Sequence, residues 1–369
     1  MLNVIGLFLY SVIPAQYYGV VFYNVLLFLT VGVSIDLVSN RKQVYHARVK
    51  KNILPITILI ILFLFIGFRP LSVHFGDMGH YYFSFEEYAR GEGVYETKDV
   101  FWHLFMKFCS GIMTSTSFFL VCAIIYTVPI YIACKRWFKE NMYIPFLMFI
   151  ASFSFFSYGT NGIRNGIATS LVLLGFSYSN KNWIKKYLCF TLGLMTHMSV
   201  IIPIGGYLLS VIYKKTKHYL YGWFLAIPLS LVLGSFWENL FASIGFNDKR
   251  LSYLTAGNIT GENFAYTGFR WDFVLYSFSA IFAGYYFIFK KKFDDKVYHQ
   301  LFNIYAVANA FWILVIRANF SNRFAYLSWF MMAVVIFYPF FKQKFFRNQN
   351  KRLAVIVILY FAFTYYMTS

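Results

Sequence analysis

The sequence predicts an all-α, polytopic bundle of transmembrane helices, and three observations predict it. Hydrophobic residues make up 59% of the 369 residues and charged residues only 13%, more apolar surface than one soluble core could hide. Aromatic residues reach 23%, a load that suits helices in lipid with ring-rich belts at the interfaces. Basic clusters recur at every second connection between apolar runs, as they do in loops held on one side of a bilayer. The runs follow one another so closely that residues 1–369 read as a single membrane domain.

Apolar runs of about 17 to 25 residues, the length that crosses a hydrocarbon core, lie at 16–38, 52–69, 115–134, 142–158, 161–179, 218–236, 269–289, 298–316, 323–341 and 352–368. The stretch 185–213 is too long for one crossing. It is interrupted by Thr196-His197-Met198-Ser199 and by Pro203, so a hairpin of two short helices with His197 near its tip is expected. The count comes to about twelve spans. Residues 2–13 either add another or lie in the interface. Met1 to Pro14 has no basic start and no small-residue cleavage site, so it does not read as a removable signal peptide. Cys109, Cys122, Cys134 and Cys189 lack metal-type spacing and read as small apolar packers.

The net charge of +19 would suggest nucleic acid in a soluble protein, but here the charge sits in short loops. Clusters at 41–51, 135–139, 181–186, 214–217, 290–296 and 342–352 hold 23 of the 33 basic residues, and these loops are assigned to the cytoplasm. The opposite side holds ten basic and ten acidic residues, and seven of the ten basic ones are Arg. Side selection is served equally by Lys and Arg. Recognition of phosphate or carboxylate favours the planar guanidinium fork.

Five of these outer Arg stand at or near the ends of apolar runs: Arg69, Arg164, Arg270, Arg317 and Arg323. Any one could snorkel or form a structural ion pair; five together suggest a shared anion site. Outer loop 70–114 opens with acids (Asp77, Glu86, Glu87, Glu92, Glu96, Asp99) mixed with rings such as Tyr81, Tyr82 and Phe85. Acids bond sugar hydroxyls and rings cover apolar sugar faces, yet the same pattern fits an amphipathic helix lying on the membrane. Outer loop 237–268 carries Glu238, Asp248 and Glu262 and reads as a lid. His197 is either a satisfied structural residue or a functional one, function gaining weight from the cost of an ionisable group in the membrane. No Gly-rich phosphate loop, paired-Cys motif, His-Glu-x-x-His or Gly-x-Ser-x-Gly is present. No cofactor and no metal are therefore expected, and the energy of any reaction should arrive in the substrate. Asn258-Ile-Thr260 and Asn319-Phe-Ser321 match a weak glycosylation pattern.

The order of the polar motifs resembles the EpsG-type family within the Wzy-like polysaccharide polymerases. Gly67-Phe-Arg69, Gly76-Asp77 and Tyr81-Tyr82 look like its early signature. Asn161-Gly-Ile-Arg164-Asn165-Gly-Ile-Ala168 is similar to its Asn-x-x-Arg-x-x-x-Ala helix start, and Thr196-His197-Met198-Ser199 to its His-x-Ser element. Arg270-Trp-Asp272 and Arg323-Phe-Ala-Tyr326 resemble its last two elements. The resemblance spans residues 60 to 330. One departure precedes Trp102: family members often carry Glu there, this chain reads Asp99-Val-Phe, and the position receives no role.

The resemblance implies a GT-C-like bundle with an outward-facing cavity in a bacterial cytoplasmic (inner) membrane. It implies a glycosyltransferase that polymerises oligosaccharide repeats of an O-antigen or exopolysaccharide carried on undecaprenyl pyrophosphate. The growing glycan would pass to a sugar hydroxyl of the next repeat. Arg69, Arg164, Arg270, Arg323 and Arg317 would stabilise the departing pyrophosphate. Asp77, Asp272 and His197 are the proton-accepting candidates, and Tyr81, Asn161 and Tyr326 would hydrogen-bond or orient. Membrane lipid and a chain-length regulator are the expected partners, with no nucleic acid. A flippase for the same lipid-linked substrate, or a ligase with the same donor, are the alternatives.

Overall fold

In a bilayer every backbone N–H and C=O must be satisfied within its own segment, which leaves helices as the outcome for apolar runs of this length. The computed structural model describes residues 13–39, 53–95, 99–243, 268–317 and 321–368, and every regular element among them is a helix, with no strand. The sequon residues Asn258 and Asn319, Asp248 and Glu262 of the proposed lid, and most of segment 2–13 lie outside the described residues. Contacts group the chain into two compact units, Met1–Val200 with Phe340–Ser369, and Ile201–Pro339.

The first unit contains α1 (Tyr18–Ser39), α2 (Leu54–Gly67), α3 (Met78–Ala89), α4 (Val100–Ser110), α5 (Ser115–Phe138), α6 (Tyr143–Ile150), α7 (Phe153–Thr160), α8 (Ile163–Ser177) and α9 (Trp183–Thr196). The second contains α10 (Ile201–Ile212), α11 (Thr216–Ser243), α12 (Trp271–Tyr285), α13 (Lys296–Leu314), α14 (Asn322–Trp329) and most of α15 (Met332–Lys342). α16 (Gln349–Thr368) returns to the first unit and packs along α1.

Six helices among the described residues have the length and apolarity of a full span, or seven if a bent pair counts as one. The runs at 52–69 and 161–179 differ from the expected spans. They fold as shorter apolar helices of 14 and 15 residues, below the ~17 that reach across the hydrocarbon. The run 142–158 also differs: α6 and α7 meet at a 65° bend. The break falls at Ala151-Ser152, where the Ser152 hydroxyl donates to Phe149 O at 2.8 Å and Ser152 itself turns extended. The interruption expected at 185–213 is present: α9 ends at Thr196 and α10 begins at Ile201, with His197 in the connection. Outer loop 70–114 is mostly the two helices α3 and α4, and the start of the proposed lid continues α11 to Ser243.

α5 organises the first unit, packing against α2 and α8. Thr114 caps its start by accepting from the Ser117 N–H at 3.3 Å. Its 24 residues extend about 36 Å at 1.5 Å per residue, and basic side chains collect near both ends. At the C-terminal end, Lys342 Nζ donates to Trp137 O at 2.6 Å and Arg136 Nε to Ser177 O at 3.3 Å. These belong to the loops that charge bias assigns to the cytoplasm. Near the N-terminal end, Phe119 lies under the guanidinium of Arg69, among the residues assigned to the opposite side. α7 and α8 approach closely because residue 166 is glycine: a Cβ there would stand 2.5 Å from Tyr158 O.

The second unit is built around α13, which contacts α10, α11 and α14. Its Asn309 is fully buried and satisfied. Asn309 Oδ1 accepts from Trp223 Nε1 at 2.7 Å, and its amide donates to Ser277 Oγ at 3.1 Å and Ser328 Oγ at 2.9 Å. Trp329 Nε1 donates to the same Ser277 Oγ at 2.7 Å. A buried polar group in this setting is tolerable because every partner is present.

Candidate anion site at the α7–α8 junction

Two residues, Asn161 and Gly162, separate α7 from α8, and both of their N–H groups donate to Ser157 O at 2.9 Å. This tight junction leads directly into the first turn of α8, which is largely buried and lies at the positive end of the helix dipole. Arg164 and Asn165 occupy that turn. A cation there is unfavourable unless an anion joins it, and the fold supplies one. Arg164 Nη1 donates to Asp99 Oδ2 at 2.6 Å, with the two side chains only 23% and 15% exposed. Arg164 Nε donates to the Tyr81 hydroxyl at 3.3 Å, and the guanidinium lies 5.7 Å from the centre of the Tyr81 ring. Trp102, buried on α4, meets Tyr81 edge-on at 5.6 Å.

Asp99 precedes α4 in a left-handed conformation (φ 50°, ψ 39°), and its side chain does not cap that helix. Its carboxylate turns to Arg164 instead. Asp99 is the residue sequence reasoning passed over. The signal available was an acid directly before an apolar helix.

Asn161 ties the loop after α2 to the same junction. Its Oδ1 accepts from the Asp77 N–H at 2.9 Å. Gly76 makes this approach possible: its φ is +57°, and a Cβ would stand 2.4 Å from Asn161 Oδ1. Asp77 is half-buried and its carboxylate makes no capping bond to α3. Asn165 reaches the other way. The Ser199 hydroxyl lies 3.1 Å from Asn165 Oδ1 and 2.8 Å from His197 Nδ1, and the Ser199 N–H donates to His197 Nδ1 at 3.2 Å. Ser199 carries one hydroxyl proton, so it donates either to Asn165 Oδ1 or to His197 Nδ1. His197 is buried, and Ser199 and Asn165 link it by hydrogen bonds to the residue next to Arg164.

Arg69 is placed differently. It is buried, with Nη1 donating to Ile66 O at 2.6 Å and Nη2 to Thr160 O at 3.0 Å. These carbonyls end α2 and α7, where the helix dipoles favour a cation. The rings of Phe75 and Phe119 sit 5.6 and 5.2 Å from its guanidinium carbon. Arg69 therefore clamps two helix ends together beside the junction.

The remaining predicted residues lie in the second unit. Arg270 grips Asp272 through Nε–Oδ1 at 2.9 Å and Nη2–Oδ2 at 2.6 Å, at the start of α12, and stacks 3.9 Å from the Phe273 ring centre. Both Asp272 oxygens accept from one guanidinium fork, the geometry by which Arg binds planar anions. Arg317 is exposed and donates to Leu231 O at 3.4 Å, beside the non-helical turn at Leu233 of α11. Arg323 is half-buried on α14, and Tyr326 is buried with its ring 5.6 Å from that of Trp329.

The first unit thus brings together Asp77, Tyr81, Asn161, Arg164 and His197, joined by Asp99, Asn165 and Ser199. A guanidinium at a helix N-terminus is suited to an oxyanion. Among the described residues, no three His, Cys, Asp or Glu side chains converge on a metal-sized site. Searches of curated proteins and of solved structures return no match. The EpsG family model, however, matches residues 52–369, a stretch that holds every residue of the junction, and the chain belongs to the EpsG family.

Proposed function

We propose that this chain is a glycosyltransferase that polymerises lipid-linked oligosaccharide repeats, drawing its donor glycan from undecaprenyl pyrophosphate on the non-cytoplasmic face. The observation that carries the reading is Arg164 on the first turn of α8, with a carboxylate, Asp99, already seated on it at 2.6 Å. A locus that holds its own carboxylate is built for anions, and the donor's leaving group is one. In the proposed reaction, the bond between the anomeric carbon and the pyrophosphate oxygen breaks. The acceptor hydroxyl oxygen bonds to that carbon, and its proton passes to a base.

Arg164 and the α8 N-terminus would stabilise the charge that develops on pyrophosphate, in a setting where fixed donors need no reorganisation. Tyr81 and Asn161 would hold substrate oxygens. Asp77 and His197 are the proton acceptors within this unit, and Asp272 within the second. Arg270 keeps the catalytic role, and Arg317, Arg323 and Tyr326 the substrate-binding roles, that the family resemblance implies, and a chain-length regulator is the expected partner.

The test is deletion of the gene in its host, followed by electrophoresis of the surface glycan. Collapse of the ladder to one repeat, restored by the intact gene and not by Arg164→Ala, supports polymerisation. Normal ladders from Arg164→Ala would remove Arg164 from the mechanism. Loss of all surface repeats would point to a flippase or a ligase instead.

A further inference from the structure

The helix α4 carries a surface that the junction does not use. Its inner face is closed: Trp102, Met106 and Cys109 are buried where α4 packs on α3, α5 and α9. Its outer face is apolar and open. Val100, Leu104 and Phe108 are 43%, 53% and 68% exposed, and Ile112, just beyond the helix, is 64% exposed. A spacing of four places these side chains in one stripe, bordered at one edge by the half-buried Lys107. On α3, by contrast, the exposed Phe83 shares its helix with the exposed Glu87.

The length of α4 and its place in the chain decide what covers the stripe. Its 11 residues reach about 16 Å, too short for a hydrocarbon core of about 30 Å, so α4 does not cross the bilayer. Only residues 111–114 separate it from α5, a helix long and apolar enough to span. The stripe therefore continues from the point where a spanning helix enters lipid.

We propose that α4 is an interfacial helix, lying in the leaflet that α5 enters, with lipid acyl chains covering Val100, Leu104, Phe108 and Ile112. An amphipathic helix at this depth lies in the interface plane and turns its polar face to the headgroups. Asp99 begins α4 and is paired with Arg164, so the anion site opens at the level where the headgroup phosphates of membrane lipids lie. This inference stands on the exposure and length of α4 and does not depend on the proposed reaction.

The experiment uses the full chain in nanodiscs of phosphatidylethanolamine and phosphatidylglycerol. Single nitroxide labels go on Leu104→Cys, Phe108→Cys and Ile112→Cys, with Phe28→Cys as the lipid reference and Glu87→Cys as the water reference. Phe28 is 76% exposed on the spanning helix α1, and the four native cysteines are buried. Collision with oxygen, which concentrates in lipid, is compared with collision with a water-soluble nickel chelate. The expected result is an oxygen-to-nickel ratio at Leu104, Phe108 and Ile112 shifted toward that of Phe28 and above that of Glu87. A ratio at Phe108 equal to that of Glu87 would show the stripe in water and overturn the proposal. Protection from both reagents would show protein covering it, and would overturn it equally.

Discussion

Gly76→Ala tests how the loop after α2 is held on the α7–α8 junction. Gly76 has φ +57° and ψ −112°, a combination that costs a residue with a Cβ about 1–3 kcal/mol. The new methyl would also stand 2.4 Å from Asn161 Oδ1. Asn161 can turn away, but only by releasing the Asp77 N–H, a loss of about 1 kcal/mol. Gly76→Ala should therefore destabilise by about 2–4 kcal/mol, and Asn161→Ala alone by about 1 kcal/mol. The two effects share one hydrogen bond, which can be lost only once. The double variant should consequently match Gly76→Ala alone within about 0.5 kcal/mol. Thermal melting of the four purified proteins reads this directly. A double variant that melts lower than Gly76→Ala by the full Asn161→Ala decrement would show that Asn161 is not what the methyl meets, and the account of the junction would fail.

Two further outcomes separate support from chemistry among the arginines. Arg69→Lys keeps the charge but cannot reach both Ile66 O and Thr160 O, so it should lose about 1.5–3 kcal/mol, one charge-assisted bond; the yield of monodisperse protein on size-exclusion chromatography should fall. Wild-type yield with failure confined to donor use would make Arg69 a binding residue. Asp99→Asn removes the resident anion from Arg164. The pair is neither exposed, where such contacts are worth about 0–1 kcal/mol, nor fully buried, where breaking one costs about 3–5 kcal/mol. About 2 kcal/mol of competition should be relieved, lowering the KM for lipid-linked donor by about thirty-fold; a raised KM would mean that Asp99 positions Arg164 rather than competing for it.

Local pattern made much of this molecule legible. Apolar runs do not depend on partners, so the spans at 16–38, 115–134, 218–236 and 352–368 reappear as α1, α5, α11 and α16. The break around His197 is readable for the same reason: Pro203 and a short polar insert interrupt an apolar run too long for one helix. Run length misled where helices were to end. The break between α6 and α7 depends on Ser152, whose hydroxyl bonds its own preceding turn, and hydropathy barely registers one serine. The aromatic load was read as interfacial belts, yet many rings pack inside, as Phe85, Trp102 and Phe105 do around the fully buried Phe118.

By itself the sequence determined the class of the protein, its segments, its motif order and hence its family, because hydrophobic length and residue order are local properties. The tertiary structure alone decided what each charge does. Arg69 and Arg164 look equivalent as arginines at the ends of apolar runs, but one is spent on two helix C-termini and the other meets Asp99 across 65 residues of chain. The acid passed over in the sequence and the basic residue singled out there become one site only after folding brings the residue before α4 to the start of α8, since the energy of an ion pair depends on separation and burial in space.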